Sequence, residues 1–228
     1  QESRGLGDVY KRQIQPHVSN TNTFFWKPQP GGSRARRCYN SLMTRAAFVL
    51  AGGGSRRMGR DKALLPLGGE PLAARVARIA AEAAGRAFLV GPASRYGHLG
   101  FPCLEERFPG LGPLSGLDAA LRSGEAEWCL LLACDMPGLE AASLRSLLDT
   151  AESCACDAVI TTSAGGRTEP LCAAYHVRLA PLAEQNIREG KLALRGLLPL
   201  IRWLPFPAPH AGFAANINTP EEWAQWNR

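Results

Sequence analysis

A glycine-rich segment followed by basic residues is the feature of this sequence best suited to binding a phosphorylated ligand. The stretch LAGGGSRRMGRDKALLPLGGEPL occupies residues 50–72 and continues an apolar run. Consecutive glycines let the backbone approach a ligand closely, and successive N–H groups form a concave site for an anion. Arg56, Arg57 and Lys62 add donors for phosphate oxygens. This order predicts a phosphate-binding loop rather than a flexible loop with solvated charges.

The loop matches neither of the two commonest phosphate-binding motifs. In G-x-x-x-x-G-K-[ST] the lysine follows a glycine, whereas Lys62 follows Asp61 and precedes Ala63. The spacing G-x-G-x-x-G is absent as well. We therefore expect phosphate binding of a different kind from that of P-loop and dinucleotide-binding proteins.

An aspartate that directly follows a second apolar run is the candidate metal ligand. Asp135 comes two residues after the run Trp128–Ala133 and two before Pro137. Mg²⁺ prefers carboxylate oxygens combined with substrate phosphates and waters. The sequence therefore predicts that Asp135 holds Mg²⁺, and the alternative is an aspartate that only caps a turn or helix before the proline.

The elements that must position these residues alternate between strands and helices. Apolar runs predict strands at residues 46–51, 86–91, 128–133, 157–163 and 170–176. Amphipathic patterns and cap residues predict helices at residues 71–85, 112–124, 140–153, 178–190 and 193–200, and a last helix after Thr219. This alternation predicts a single α/β domain with three layers and a doubly wound, mostly parallel sheet. Ligands bind such sheets at the carboxyl ends of the strands, here just after Ala51, Gly91 and Ala133.

The charge is concentrated outside the part of the chain that this pattern covers. The formal net charge is +6, and residues 1–42 contain seven Lys/Arg and two Asp/Glu, which leaves +1 for the rest. A nucleic-acid-binding face needs clustered basic charge on the folded part, so we expect no nucleic-acid partner. No apolar run approaches the ~20 residues of a membrane span. The seven cysteines lack framework spacing, which favours free thiols and a cytoplasmic location.

Residues 1–42 differ in composition from the remainder. They lack helical or strand periodicity and are rich in Asn, Pro, Gly, Ser and Arg, which is typical of disorder. The stretch DVYKRQ at residues 8–13 resembles the translated end of a transposon used to prepare sequencing libraries. We therefore expect a disordered or artefactual extension at residues 1–42 and a globular domain at residues 43–228. The alternative is a genuine basic tail.

Residues 50–62 resemble the signature L-A-G-G-x-S-x-R-M-G-x-D-K of nucleotidyltransferases of the sugar-nucleotide type, with every fixed position filled. Within that superfamily the chain resembles the molybdenum cofactor guanylyltransferases, the MobA family. Three later segments agree in order and spacing, namely GPLSGL, LLACDMP and NINTPEE. The resemblance begins at Arg45 and extends to the end of the chain, and it implies a Rossmann-like nucleotidyltransferase fold.

The resemblance implies roles for individual positions. Lys62 matches the lysine that neutralises the nucleotide phosphates, and Asp135 matches the aspartate that holds Mg²⁺. The expected nucleotide-binding residues are Leu50, Ala51, Gly52, Gly53, Lys62, Gly91, Glu106 and Asp135. Glu106 aligns with a family aspartate only after a small length change. Gly91 departs from the pattern, since some relatives have asparagine there, so a contact to the base from this position is lost or made by the backbone.

The implied reaction is transfer of GMP from GTP to the phosphate of the molybdopterin-bound molybdenum cofactor, with release of pyrophosphate. The expected catalytic residues are Lys62, Asp135 and Arg57. Asn216 and Asn218 are candidates for the metal or pterin side, and turn and cap chemistry is their alternative. Expected partners are GTP, the molybdenum cofactor and, transiently, enzymes that make or accept that cofactor.

Two other functions are compatible with the same residues. The first is cytidylyl transfer to the same pterin, or nucleotidyl transfer to another small phosphorylated acceptor such as a sugar phosphate. The second is a nucleotide-binding regulator or accessory protein without catalysis. The latter predicts a lost metal ligand or lysine, and both Asp135 and Lys62 are present.

Overall fold

The computed structural model describes residues 44–52 and 61–226. Within these residues, nine strands are present: β1 Arg45–Leu50, β2 Pro66–Leu67, β3 Glu70–Pro71, β4 Ala87–Val90, β5 Cys103–Leu104, β6 Trp128–Ala133, β7 Ala158–Thr162, β8 Thr168–His176 and β9 Trp203–Pro207. The α-helices are α1 Leu72–Ala84, α2 Ala93–Tyr96, α3 Pro113–Arg122, α4 Ala141–Ser153, α5 Ala180–Arg188 and α6 Pro220–Trp226. Short 3₁₀ turns include Lys62–Leu64 and Leu194–Leu200.

Seven of the strands form one mixed, mostly parallel sheet with the order β5-β4-β1-β6-β8-β7-β9. Four of its six strand pairs are parallel, and β8 runs antiparallel to both β6 and β7. The turn after β7 is tight, because the Ser163 N–H donates to the Arg167 carbonyl at 2.9 Å. Since a parallel return requires a crossover of a dozen or more residues, this short turn forces β8 to reverse direction.

Helices cover both faces of the sheet, which confirms the three-layer α/β prediction. The apolar side chains of α1 and α4 pack with one face of β1 and β6, and those of α3 and α5 pack with the other. β6 is buried along its whole length, and β1 is buried except at its two ends. This explains why both strands are apolar runs without alternation.

Strand β9 was not predicted, because its sequence WLPFP contains two prolines. Proline lacks the N–H that a central strand needs, and it is tolerated in edge strands. β9 is the edge strand beside β7, in the register Ala158 with Trp203. The tertiary position thus permits a strand that local sequence rules disfavour.

The prediction that the cysteines are free thiols is wrong for one pair. Cys154 and Cys156 form a disulfide. Their separation of two residues is too short for the framework spacing that usually signals disulfides. Of the other cysteines in the described part of the chain, four are free thiols, namely Cys103, Cys129, Cys134 and Cys172. In the same part of the chain, no helix is long and apolar enough to cross a membrane.

Candidate active site

A cleft of about 910 Å³ opens at the carboxyl ends of β1 and β6. It lies at the edge of the sheet where the strand alternation predicted a ligand site. Most of the described residues that the sequence singled out line it: Leu50, Ala51, Gly52, Lys62, Glu106, Asp135, Asn216 and Asn218. Gly53 and Arg57 lie outside the described residues.

Lys62 and Asp135 meet at the centre of this cleft. The Lys62 Nζ lies 3.2 Å from the Asp135 Oδ2, and each side chain is 17% exposed. Nζ also donates to the Ile217 carbonyl at 2.7 Å and to the Asn218 Oδ1 at 3.0 Å. The ammonium group is therefore held in one place by three oxygens from two separate segments.

Asp61 is a structural anchor rather than a solvated loop charge. Its Oδ1 accepts a hydrogen bond from the Ala63 N–H at 3.1 Å and so caps the 3₁₀ turn that begins with Lys62. Its Oδ2 accepts from the Tyr96 hydroxyl at 3.0 Å and lies 2.6 Å from the Arg95 Nε. The Asp61 side chain is only 9% exposed. Helix α2, which is distant in sequence, thus fixes the turn that carries the lysine.

The C-terminal NINTPEE segment lies against the metal-ligand candidate. The Ile217 N–H donates to the Asp135 carbonyl at 2.9 Å, which places Asn216 and Asn218 on either side of this contact. The predicted helix after Thr219 begins with a reciprocal capping pair, because the Glu222 N–H donates to the Thr219 Oγ1 and the Thr219 N–H donates to Glu222. The Asn216 Oδ1 is buried and has no hydrogen-bond partner among the described residues.

One side of the cleft is shaped by close packing of β1 on α3. A Cβ atom on Gly116 of α3 would lie 2.4 Å from the Leu50 Cδ2, so the two elements approach at this glycine. Glu106 is half-buried beside them, and burial raises the pKa of its carboxyl although a hydrogen bond from the Gly110 backbone lowers it. The Ser115 hydroxyl donates to the Phe108 carbonyl at 2.7 Å and holds the loop that carries Glu106.

Gly91 is placed differently from the other predicted residues. It is buried at the end of β4 and is absent from the described lining of the cleft. Its φ is +151°, and a Cβ atom there would lie 2.9 Å from the Tyr96 Cε2. The tyrosine ring therefore occupies the space that a side chain at position 91 would need.

Two residues beside the site were missed by sequence reasoning. Arg95 lines the cleft, and the one signal for it was its place just after the end of β4. Glu169 of β8 is the other: extending the β6–β8 register from Leu132 with Cys172 places it opposite Asp135. Burial raises the pKa of Glu169, and the Asp135 charge contributes in the same direction. The place of β8 between β6 and β7 brings these carboxylates together, and no local pattern foretells that placement.

Comparison with known proteins agrees with this geometry. The family model of the MobA-like NTP transferase domain matches residues 47–204. A probable molybdenum cofactor guanylyltransferase from Synechococcus elongatus is 38% identical over 189 residues, which cover 79% of this chain and 97% of the relative. The molybdenum cofactor guanylyltransferase of Serratia proteamaculans is 31% identical over 187 residues, which cover 79% and 93%.

Solved structures have the same fold. Molybdopterin-guanine dinucleotide biosynthesis protein A from Archaeoglobus fulgidus matches with a TM-score of 0.70 and 25% identity, over 80% of this chain and 96% of that one. A Mycobacterium tuberculosis protein in complex with manganese matches with a TM-score of 0.56 and 17% identity, over 82% and 98%. At the latter identity the likeness concerns the fold alone. Because the family model spans most of the chain and relatives above 30% identity are covered almost completely, this chain is a nucleotidyltransferase of the MobA-like NTP transferase family.

Proposed function

We propose that this chain is a molybdenum cofactor guanylyltransferase, which transfers GMP from GTP to the phosphate of the molybdopterin-bound cofactor and releases pyrophosphate. The observation that carries the proposal is the contact between Lys62 and Asp135 in the strand-end cleft, with Asn218 on the same ammonium group. The names and coverage of the relatives support the choice of guanine nucleotide and pterin acceptor.

The reaction needs charge neutralisation more than acid–base chemistry. An oxygen of the acceptor phosphate attacks the α-phosphorus of GTP, and the bond from that phosphorus to the bridging oxygen of pyrophosphate breaks. Because the attacking phosphate is already anionic, no side chain has to remove a proton. Lys62 supplies positive charge where negative charge accumulates on the leaving oxygens. Arg57, outside the described residues, is proposed to assist it.

Mg²⁺ is proposed as the cofactor, held by Asp135 with Asn216. The fit rests on the buried Asn216 Oδ1, which has no hydrogen-bond partner in the described chain, and on its place in the same cleft as the Asp135 carboxylate. Carboxylate and amide oxygens are ligands that suit this ion. When bound, the ion supplies positive charge to the phosphates; the role of Asp135 and Asn216 is to fix its place.

The nucleotide is proposed to bind through the end of β1 and the loop after β5. Ala51 and Gly52 follow β1 and line the cleft. Because their side chains are small or absent, a ligand can approach their backbone closely. Glu106 is the one carboxylate on this side of the described cleft and can accept hydrogen bonds from an amino group of a base. A site that relies on such hydrogen bonds rejects bases that leave its groups unpaired.

The deciding experiment is to incubate the protein with molybdopterin-bound molybdenum, Mg²⁺ and GTP, CTP or ATP separately, and to measure the mass of the product. We expect the guanine dinucleotide as the main product. Equal or better conversion of CTP would assign the chain to cytidylyl transfer. Absence of any dinucleotide, with GTP still bound, would favour the regulator without catalysis. The cytoplasm is the proposed location; the four described free thiols support it, whereas a disulfide such as Cys154–Cys156 is rare there.

A further inference from the structure

Asp61 and Lys62, which follow the glycine-rich segment, are connected to the end of β4 through Tyr96. The Tyr96 hydroxyl donates to the Asp61 Oδ2 at 3.0 Å, although the two residues are 35 positions apart. Tyr96 is 1% exposed, so its ring is enclosed by packing and its hydroxyl has a fixed direction. A hydrogen bond to an ionised carboxylate is stronger than one between neutral groups.

The glycine at position 91 is what admits this ring. At φ +151°, position 91 has a backbone conformation that residues with a side chain rarely adopt, and a Cβ would approach the Tyr96 Cε2 to 2.9 Å. The glycine at position 91 and the buried tyrosine five residues later are thus one structural feature.

Asp61 transmits the position of Tyr96 to the lysine. One carboxylate oxygen of Asp61 accepts from the tyrosine, and the other caps the turn Lys62–Leu64 through the Ala63 N–H. Lys62 is the first residue of that turn, and its ammonium group reaches Asp135 and Asn218. Arg95 also pairs with Asp61, but its side chain is 56% exposed and its ion pair is open to screening.

We propose that Tyr96 is a positioning residue for Lys62: through Asp61, its hydroxyl fixes the turn from which the lysine reaches the reacting phosphates. This inference rests on the proposed function, because it takes Lys62 to stabilise the transition state. Loss of the hydroxyl should then lower kcat for GTP more than it raises KM, since the proposed contacts of the nucleotide with the end of β1 and with Glu106 do not involve Tyr96.

The test compares Tyr96→Phe with a matched control, Tyr175→Phe. Tyr175 is also fully buried, and its hydroxyl donates to the Pro170 carbonyl at 2.8 Å within β8. Each variant loses one hydroxyl and keeps its ring. We expect Tyr96→Phe to lower kcat on the order of 10-fold with KM for GTP changed less than about 2-fold, and Tyr175→Phe to leave kcat unchanged.

A second readout does not depend on the reaction. The chain has four lysines, Lys11, Lys27, Lys62 and Lys191, so acetylation by acetic anhydride can be followed at each by mass spectrometry. Lys191 is 64% exposed and serves as the internal reference. We expect Tyr96→Phe to raise the acetylation rate of Lys62 relative to Lys191, because the ammonium group is held less firmly, and Tyr175→Phe to leave the ratio unchanged.

The outcomes separate this inference from the proposed function. A wild-type protein that makes no product from GTP contradicts the proposed function, while the acetylation ratio still reports whether Tyr96 positions Lys62. An unchanged ratio, or a kcat for Tyr96→Phe equal to that of Tyr175→Phe, overturns the inference. If Tyr96→Phe does not fold, Asp61→Asn is measured instead and should raise the same ratio. In an Asp61→Asn background, Tyr96→Phe should change the ratio no further, because the two act through one contact.

Discussion

At the scale of single residues, Lys62 and Asp135 come from segments 73 positions apart and lie 3.2 Å from each other in the cleft. The ammonium group of Lys62 and the carboxylate of Asp135 partly neutralise each other, and both residues line the cleft. The lysine also donates to oxygens of Ile217 and Asn218, so two segments distant from it in the chain define its position. A charge fixed before the substrate binds costs no reorganisation during the reaction, which is the condition for effective electrostatic stabilisation.

Replacing Asp135 by Asn tests its role as metal ligand. The change keeps the shape and removes the charge, and the Ile217 N–H still reaches the backbone carbonyl of residue 135. We expect Mg²⁺-dependent turnover to fall on the order of 10²-fold or more while the melting temperature stays close to that of the wild type. Turnover near the wild-type rate in a titration with Mg²⁺ would return Asp135 to a structural role.

Lys62→Ala tests whether the lysine acts on the transition state. Negative charge on the leaving oxygens is greatest there, so kcat should fall strongly and GTP affinity should fall less. Single-turnover rates and equilibrium binding of GTP measure the two quantities separately. Normal turnover at saturating GTP, with only the affinity reduced, would make Lys62 a uniform binding contact and contradict the mechanism.

The half-buried Glu106 predicts a pH dependence of stability. Burial raises its pKa in the folded state, so the folded protein binds this proton more tightly than the unfolded chain. As the pH rises from the ordinary pKa of a glutamate, about 4.3, to the raised pKa of Glu106 in the folded state, ionisation of this carboxyl lowers the free energy of unfolding. We expect Glu106→Gln to have a higher melting temperature than the wild type at pH 7 and an equal one near pH 4. If the two proteins differ in melting temperature by the same amount at both pH values, the charge of Glu106 is not the cause of the difference.

At the scale of elements, the active cleft is built where β1, β6 and β8 end or begin at one edge of the sheet. β1 and β6 run parallel and deliver Ala51 and Asp135 to that edge, while β8 runs the opposite way and brings Glu169 and Leu171 to it from its first half. The loop after β4 completes the arrangement through Tyr96. The packing of an otherwise ordinary short helix, Ala93–Tyr96, is thereby connected to the active site.

Gly91→Ala tests the packing between the end of β4 and that helix. The new methyl group would approach the Tyr96 ring to 2.9 Å in a strained backbone conformation. Strain of this kind corresponds to a melting temperature lower by roughly 5 °C. Gly97→Ala is the control, because its φ of −62° suits alanine and no described atom lies within 4 Å of the added Cβ. Equal melting temperatures for the two variants would contradict the tight fit at position 91.

At the scale of the whole molecule, residues 43–228 carry nearly balanced charge. The basic excess lies in residues 1–42, and the described residues form many ion pairs, including the network of Asp118 with Arg107 and Arg122. The cleft itself combines Lys62 and Arg95 with Asp61, Glu106 and Asp135. A long polyanion requires a continuous basic surface, whereas the described lining of the cleft has charges of both signs.

Deletion of residues 1–42 tests the proposed domain boundary. The segment lacks the periodicity that a packed core requires, and the family match begins at residue 47. We expect the protein that starts at Met43 to keep the melting temperature and the GTP affinity of the full chain. A large fall in either quantity would indicate that the basic segment belongs to the folded domain.

The sequence by itself determined the order of the major elements and the chemical class of the site. The apolar run Trp128–Ala133 is strand β6, and Gly85 ends helix α1 with φ +84°. Such features are readable because burial on both faces requires an unbroken apolar run, and a left-handed helix end favours glycine. Lys62, as a phosphate-binding residue, and Asp135, as a metal ligand, were predicted for the same site because each follows a strand of one parallel sheet, and parallel strands end at one edge.

Only the tertiary structure decided the place of β8 between β6 and β7, the edge strand β9 and the contact of Tyr96 with Asp61. β8 follows both of its neighbours in the chain, and β9 is tolerated because it lies at an edge. The Tyr96 hydroxyl donates to Asp61 because helix α2, which follows β4, lies next to the turn that carries Asp61. These contacts join residues far apart in the chain, so no local pattern encodes them. Their energies depend on distances and burial that exist only once the chain has folded.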